Sequence, residues 1–293
     1  MSEIAQRRML FVHAHPDDET IFTGATMAHY AALGVHVTLV MCTLGEQGEI
    51  YVPELAQLAA DEADQLGGYR LAELRAACAL LGVSELRMLG GAGHYRDSGM
   101  PGTRGNAHPR AFGYLDTTLA RRELADLICR LRPQVVVTYD DRGLTDHPDH
   151  VQAHRVTMAA VELAASPAMS GRWQVDRVYW SAFPRSLVEA GAARFQASAE
   201  NPFQGVADAA QLPFVVDDAQ LTVRIDAHAH ANTKLAALAA HATQVRTDTW
   251  LYALATNLGV EPTGVEYYRQ AWPVAAMRSA PSELLGDGLF AVV

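Results

Sequence analysis

The sequence predicts an α/β protein: a mostly parallel sheet with helices on both faces, plus a smaller C-terminal elaboration. Short apolar runs alternate with helical patterns through the first half, the mark of strand–helix–strand units. The runs are almost continuously apolar rather than alternating, as strands covered on both faces are. Two clusters rich in acids and histidines directly follow two of these runs, and an open parallel sheet binds ligands at the carboxyl ends of its strands.

Met9 to Val12 reads as the first strand, Val35 to Met41 as the second, Leu86 to Leu89 as a weaker third and Gln134 to Tyr139 as the fourth. Between them, Leu71, Leu74, Cys78 and Leu81 form one helical stripe, and Leu124, Leu127, Ile128 and Leu131 form another. Gly67-Gly68 is expected to break or bend the chain before Leu71. Pro133 stops the helix that ends at Arg132 and opens the next strand. The glycine-rich stretch from Gly90 to His108 reads as a long functional loop. In the second half, Val178 to Ala182 is a strand, while Phe214 to Val216 and Leu221 to Ile225 suggest an additional small sheet. Ala231 to Ala242 is an alanine-rich helix, and Thr249 to Leu258 is read as another. With no internal repeat or low-complexity linker, residues 1–293 are expected to form one domain: a catalytic core over 1–165 and an elaboration over 166–293 that contributes to the pocket.

Composition narrows the function. Apolar residues make up 49% of the chain and charged residues 19%, a globular profile. Asp and Glu outnumber Lys and Arg by 33 to 23, a formal charge of −10, which argues against nucleic acid or an anionic membrane as partner. The three cysteines, Cys42, Cys78 and Cys129, are widely spaced, so neither a disulfide framework nor a thiolate metal cluster is expected. The short apolar run at Met9–Val12 is too brief for a signal peptide or a membrane span, and the expected location is cytoplasmic.

The two clusters carry the chemistry. The first is His13-Ala14-His15-Pro16-Asp17-Asp18-Glu19; the second is Asp146-His147-Pro148-Asp149-His150, followed by His154. Each has a purely structural competitor: acids after a proline cap helices, and Pro148 with His147 suits a helix start. Neither competitor accounts for histidines accompanying acids at two strand ends. Imidazole and carboxylate donors without thiolates suit a catalytic zinc site with an open position. From spacing, the ligands are His15, Asp18 and either His150 or His154, which share a helical face four residues apart. Catalytic zinc lowers the pKa of water from ~15.7 to about 7, so a carboxylate near ~3.9 becomes a workable base, more so if burial raises it. Asp17, beside Asp18 but free of the metal, is the natural base; His147 is placed to assist an oxyanion or protonate the leaving amine, with Asp149 to orient it.

At these residues the chain resembles the LmbE-like (PIG-L type) family of metal-dependent de-N-acetylases, whose hallmarks are an HPDDE motif and a later HPDHxxxH motif, present as His15 to Glu19 and His147 to His154. Residues 42–49, 65–70 (QLGGYR), 89–100 (LGGAGHYRDSGM) and 235–245 (LAALAAHATQV) resemble the branch of that family that deacetylates N-acetylglucosaminyl-inositol in mycothiol biosynthesis. The resemblance implies a Rossmann-like fold and one zinc per chain, with ferrous iron as the alternative, held by His15, Asp18 and His150. It implies Asp17 as base, His147 as electrophile and acid, Asp149 as the partner that tunes His147, and His154 as a residue behind the ligands. Arg70, Asp97 and Glu49 match positions that contact an amino-sugar substrate. Thr145 departs from the pattern, since close relatives carry a tyrosine there, which leaves a mycothiol S-conjugate amidase or another amino-sugar deacetylase as competing substrate assignments. Two other classes compete. The facial triad of non-haem iron oxygenases uses the same donor types but sits on all-β barrels. A nucleotide-binding module would need a glycine-rich loop where HAHPDDE stands.

Overall fold

The computed structural model describes residues 6–196, 212–272, 282–283 and 288–290. Among these, a nine-stranded mixed sheet runs in the order β3-β2-β1-β4-β5-β8-β7-β9, with β6 paired to β5. Strands β1 (Arg8–His13), β2 (His36–Met41), β3 (Glu85–Met88), β4 (Val135–Thr138) and β5 (Arg177–Pro184) are parallel, as expected. The central strand β1 shows why they bury so completely. Leu10 and Val12 join a core with Leu124, Ile128, Val136 and Val156, whereas Met9 and Phe11 join a second core with Leu74, Ala77, Val137 and Tyr268. Successive side chains point to opposite faces of a strand, so an unbroken apolar run is what a sheet with two covered faces requires.

The two layers of helices follow from the stripes. Helices α3 (Thr117–Leu131) and α4 (Pro148–Ala165) supply the first core; α1 (Asp18–Ala32), α2 (Leu66–Leu81) and α6 (Ala231–Ala240) supply the second. Arg132 takes a left-handed conformation at φ 52° to end α3 before Pro133. Helices α5 (Arg185–Gln196) and α7 (Trp250–Ala255) complete the set among the described residues. No helix of the described residues is long and apolar enough to cross a membrane.

Two expectations are corrected. Gly67-Gly68 does not break the chain: α2 begins at Leu66 and runs through both glycines. A Cβ on Gly67 would come within 2.8 Å of Glu46 Cγ and 2.9 Å of Leu44 Cβ, so glycine is there for close approach of the 44–46 loop. The second half does not form a separate small sheet. Strand β7 (Val223–Asp226) extends the main one, through the antiparallel strand β8 (Val265–Trp272) that pairs with β5. Strand β6 is only Val215–Val216, and β9 only Ser282–Glu283. The sequence reading passed over β8 because Glu266, Arg269 and Gln270 interrupt its apolar pattern.

The order β2-β1-β4-β5 places the chain's change of direction between β1 and β4. Their connections leave the sheet in opposite senses there, which opens a crevice at the carboxyl ends of these two strands.

Candidate metal centre and active site

Both clusters enter that crevice. The first follows β1 and turns into α1; the second follows β4 and turns into α4. Of the two histidines that spacing left open, one lies in the site and the other behind it. His150 comes to His15, with its Nε2 3.1 Å from His15 Nδ1. His154 faces away, its Nδ1 on the Tyr139 carbonyl at 3.1 Å and its ring against Trp180. Asp18 Oδ2 completes a triangle, 3.4 Å from His15 Nδ1 and 3.3 Å from His150 Nε2.

Hydrogen bonds on the far side of each ring determine what faces inward. His150 Nδ1 lies 2.9 Å from the Gly143 carbonyl, which can only accept, so Nδ1 carries the proton and Nε2 presents a lone pair. His15 Nε2 lies 3.1 Å from Asp149 Oδ2 and 3.5 Å from Asp97 Oδ1, which leaves Nδ1 as the lone pair. The Asp18 carboxylate is steadied by the His15 N–H at 2.9 Å and the Tyr139 hydroxyl at 2.7 Å. Tyr139 also stacks on His150, with ring centroids 4.4 Å apart and planes within 15°. Three acceptors thus converge with edges of 3.1–3.4 Å. Tetrahedral zinc with bonds of ~2.0–2.1 Å sets its ligand atoms about 3.3 Å apart, so this donor set fits the metal. The surrounding carboxylates draw positive charge to this point. Burial opposes a charge on His15, but Asp97, Asp149 and Asp18 outweigh it and lift its pKa well above the usual imidazole range. Burial likewise opposes charge on Asp18, yet His150 and His15 hold its pKa well below the usual carboxylate value.

Asp17 lies beside this triangle and outside it. It occupies the N-cap position of α1 without making a side-chain cap, so its carboxyl is free for the pocket. Its backbone sits at φ 115°, a conformation that costs an L-residue on the order of 1–3 kcal/mol and persists only where neighbours enforce it. Arg70 of α2 is the main neighbour. One guanidinium nitrogen is 3.1 Å from Asp17 Oδ2 and also reaches the Pro16 carbonyl; another donates to the Gly45 carbonyl at 2.7 Å. Gly45, at φ +65°, leaves the space that Arg70 fills, since a Cβ there would collide with the guanidinium. Burial, with Asp18 adding to it, raises the Asp17 pKa to about 6 against the opposing pull of Arg70 and His241.

His147 plays two parts. It caps α4: its Nδ1 accepts the Asp149 N–H at 3.2 Å, with Pro148 as the first helical residue. The proton is therefore on Nε2, which faces the pocket with Asp97 Oδ1 4.0 Å away. Burial and the neighbouring His15 and His150 lower its pKa, so the ring is neutral. The Asp149 carboxylate is not on His147, as the sequence reading had it. The first turn of α4 carries it towards the 98–113 loop, where Ser98 N–H, Ser98 Oγ and Gly113 N–H donate to it at 2.9, 2.5 and 2.7 Å, and from there it holds His15. Asp97 is the carboxylate nearest His147 Nε2 among those described. Sequence reasoning gave no role to Tyr139, Ser98, Glu19 or His241, although Glu19 stands in the first cluster and Tyr139 at the end of its strand.

The cluster forms the floor of a cavity of about 510 Å³. Its polar lining includes Glu49, Gln47, Arg70, Asp97, Thr145 and Gln244, and its apolar lining Phe22, Phe214, Trp250 and Leu251. All nine residues named as site candidates from the sequence are therefore in or directly beneath this cavity.

Residues 10–161 match the family model PIG-L, described as GlcNAc-PI de-N-acetylase. A protein of Salinispora arenicola (strain CNS-205) named 1D-myo-inositol 2-acetamido-2-deoxy-alpha-D-glucopyranoside deacetylase is 56% identical over 271 residues, covering 92% of this chain and 87% of that protein. Among solved structures, GalB, the 4-carboxy-2-hydroxymuconate hydratase of Pseudomonas putida KT2440, aligns with a TM-score of 0.62 at 19% identity, over 96% of this chain and 100% of that one. The N,N'-diacetylchitobiose deacetylase of Pyrococcus horikoshii aligns with a TM-score of 0.59 at 18% identity, over 91% and 84%. A hydratase and a deacetylase share the architecture, so the fold by itself does not select the reaction.

Proposed function

The chain belongs to the PIG-L family of GlcNAc-PI de-N-acetylases, and on that premise we propose that it hydrolyses the N-acetyl amide of 1D-myo-inositol 2-acetamido-2-deoxy-α-D-glucopyranoside, releasing acetate and the free amine for mycothiol biosynthesis. The observation that carries the metal-dependent form of this reading is the triangle of His15 Nδ1, Asp18 Oδ2 and His150 Nε2 at the pocket floor. Zinc held there would polarise the amide carbonyl and acidify water, with ferrous iron able to do the same.

The chain's own residues do the rest. Asp17 takes the proton from the attacking water, and a pKa near 6 matches that task better than an ordinary aspartate would. His147, neutral with its proton on Nε2, hydrogen-bonds to the oxygen on which charge develops, and the departing nitrogen takes the proton that Asp17 removed from water, which returns Asp17 to its carboxylate form. Asp97, with Oδ1 4.0 Å from His147 Nε2, orients that N–H at the pocket floor. Asp149 keeps the His15 lone pair turned inward. Glu49, Arg70 and Asp97 of the polar lining receive the hydroxyls of the sugar and inositol; Arg70 also fixes Asp17. The aromatic lining with Thr145 favours a second reading, a mycothiol S-conjugate amidase, in which that lining takes the apolar substituent.

Acetate release from the purified protein, with chelator and then zinc added back, tests the first reading, and turnover of an S-conjugate under the same conditions tests the second. Release abolished by chelator and restored by zinc is expected. Asp17→Asn is expected to keep its metal and lose about 10²–10⁴-fold in kcat. Unchanged turnover in that variant removes Asp17 as base.

A further inference from the structure

We propose that Glu19 and His241 are a positioning pair that holds Asp17 in its working conformation; this rests on the reading of Asp17 as base. Both side chains are fully buried, and neither touches the cavity. Glu19 Oε2 accepts the Asp17 backbone N–H at 2.9 Å, so the strained residue at φ 115° is tied by its own amide to the side chain two residues on. Glu19 Oε1 accepts from Thr20 Oγ at 2.5 Å and meets His241 Nε2 at 2.7 Å. A carboxylate oxygen only accepts, so Nε2 of His241 is the donor.

His241 is itself anchored. It ends α6, and the turn that follows is bolted to three other parts of the site. Thr243 donates through N–H and Oγ to Glu73 of α2 at 2.9 and 2.7 Å, Gln244 Nε2 donates to the Glu49 carbonyl at 2.9 Å, and the Tyr51 N–H donates to the Thr243 carbonyl at 2.9 Å. A charged pair whose one free oxygen is aimed at the amide of a strained residue has a use beyond filling the core. The Asp17 backbone has no glycine to make φ 115° easy, so without the Glu19 acceptor the turn relaxes and the carboxyl leaves its place beside the metal ligands.

The test uses the full-length, metal-loaded protein. Glu19→Met, similar in volume but with no acceptor, is expected to lower kcat about 10²-fold, the scale of a misplaced reacting group, with KM and one metal per chain unchanged. Glu19→Gln keeps an oxygen for the Asp17 N–H and is expected to recover most of the loss. On the other side of the pair, His241→Gln keeps the donor and the activity, whereas His241→Leu behaves as Glu19→Met; these two carry the test if Glu19→Met is not recovered folded. Hydrogen exchange of the Asp17 amide reads the geometry without turnover and is expected to accelerate in Glu19→Met but not in Glu19→Gln. A folded Glu19→Met with wild-type kcat, beside an inert Asp17→Asn, overturns this proposal and leaves Asp17 as base. An active Asp17→Asn overturns both. Loss of kcat in step with loss of metal also overturns the pairing, because Glu19 would then act through Asp18.

Discussion

Two buried charged clusters lean on helix α1, and they are built on opposite principles. Midway along the helix, Lys234 donates to the Ile21 carbonyl at 2.9 Å and to Glu266 Oε1 at 2.8 Å, while Glu266 accepts from the N–H groups of Ala25 and Thr26 at 3.0 and 2.9 Å. Every charge there meets its complement. At the helix start, His15, Asp18 and His150 turn atoms towards one point at mutual distances of 3.1–3.4 Å, with the far nitrogens of the two rings held by Asp149 and by the Gly143 carbonyl. Burying a polar group is tolerable only when it is paired; the closed cluster is paired within the fold, and the converging one offers the donor types that a metal ion takes. Charge and burial do not separate the two; the direction in which the lone pairs point does.

That contrast is best broken at its strongest point. His150→Ala should lower bound metal well below one per chain and reduce turnover by at least about 10³-fold, since the step it supports has no substitute, while the melting temperature without metal stays near that of the parent. Metal analysis and acetate release check this; full metal retention would remove His150 from the ligand set. Lys234→Met should do the reverse. Leaving Glu266 buried and uncompensated is expected to cost about 3–5 kcal/mol of stability, measured by denaturant unfolding, with metal content and kcat of the folded protein unaltered. A smaller effect is expected behind the ligands. Thr145 Oγ lies 3.3 Å from His150 Nδ1, which already has the Gly143 carbonyl at 2.9 Å. Thr145→Val should therefore weaken metal affinity by about 10-fold at most, seen by chelator competition; a larger loss would make Thr145 the principal partner.

The smallest effect concerns pH. Burial works against charge on Glu19 and His241 alike, but their mutual attraction lowers the pKa of Glu19 and raises that of His241. Glu19, depressed in the fold, contributes stability present above its unfolded value of 4.5 and lost as pH falls through the lowered value. His241, raised in the fold, contributes stability present below its unfolded value of 6.5 and lost as pH rises through the raised value. The melting temperature of wild type should exceed that of His241→Gln most between pH 4.5 and 6.5, by a few degrees, about 2–4 °C per kcal/mol. A pH-independent difference would show that the pair is not charged.

Much of this was legible in the chain. The apolar runs marked β1, β2, β4 and β5 to within a residue or two, because strands covered on both faces have little freedom in composition. The meeting of the two clusters followed from their place at two strand ends, whereas His150 rather than His154 was implied only by the family resemblance. What stayed hidden has a common cause, dependence on a partner far away in sequence. Glu266 disguised β8 because its burial makes sense only with Lys234 in place. Asp149 was assigned to the adjacent His147, but the backbone of the helix start had already taken His147 Nδ1. Glu19 looked like a helix-start acid until His241, 222 positions on, met it.

The pocket's lining is drawn from both halves of the chain. The residues proposed as metal donors, base and electrophile lie between His15 and His150, whereas Phe214, Gln244, Trp250 and Leu251 of the same lining come from the second half. Evolution is thereby handed two separable dials. Exchanges at Phe214, Trp250 or Leu251 change which amide fits the cavity without touching a single donor, so a new substrate can be reached while the bond-breaking apparatus is inherited whole.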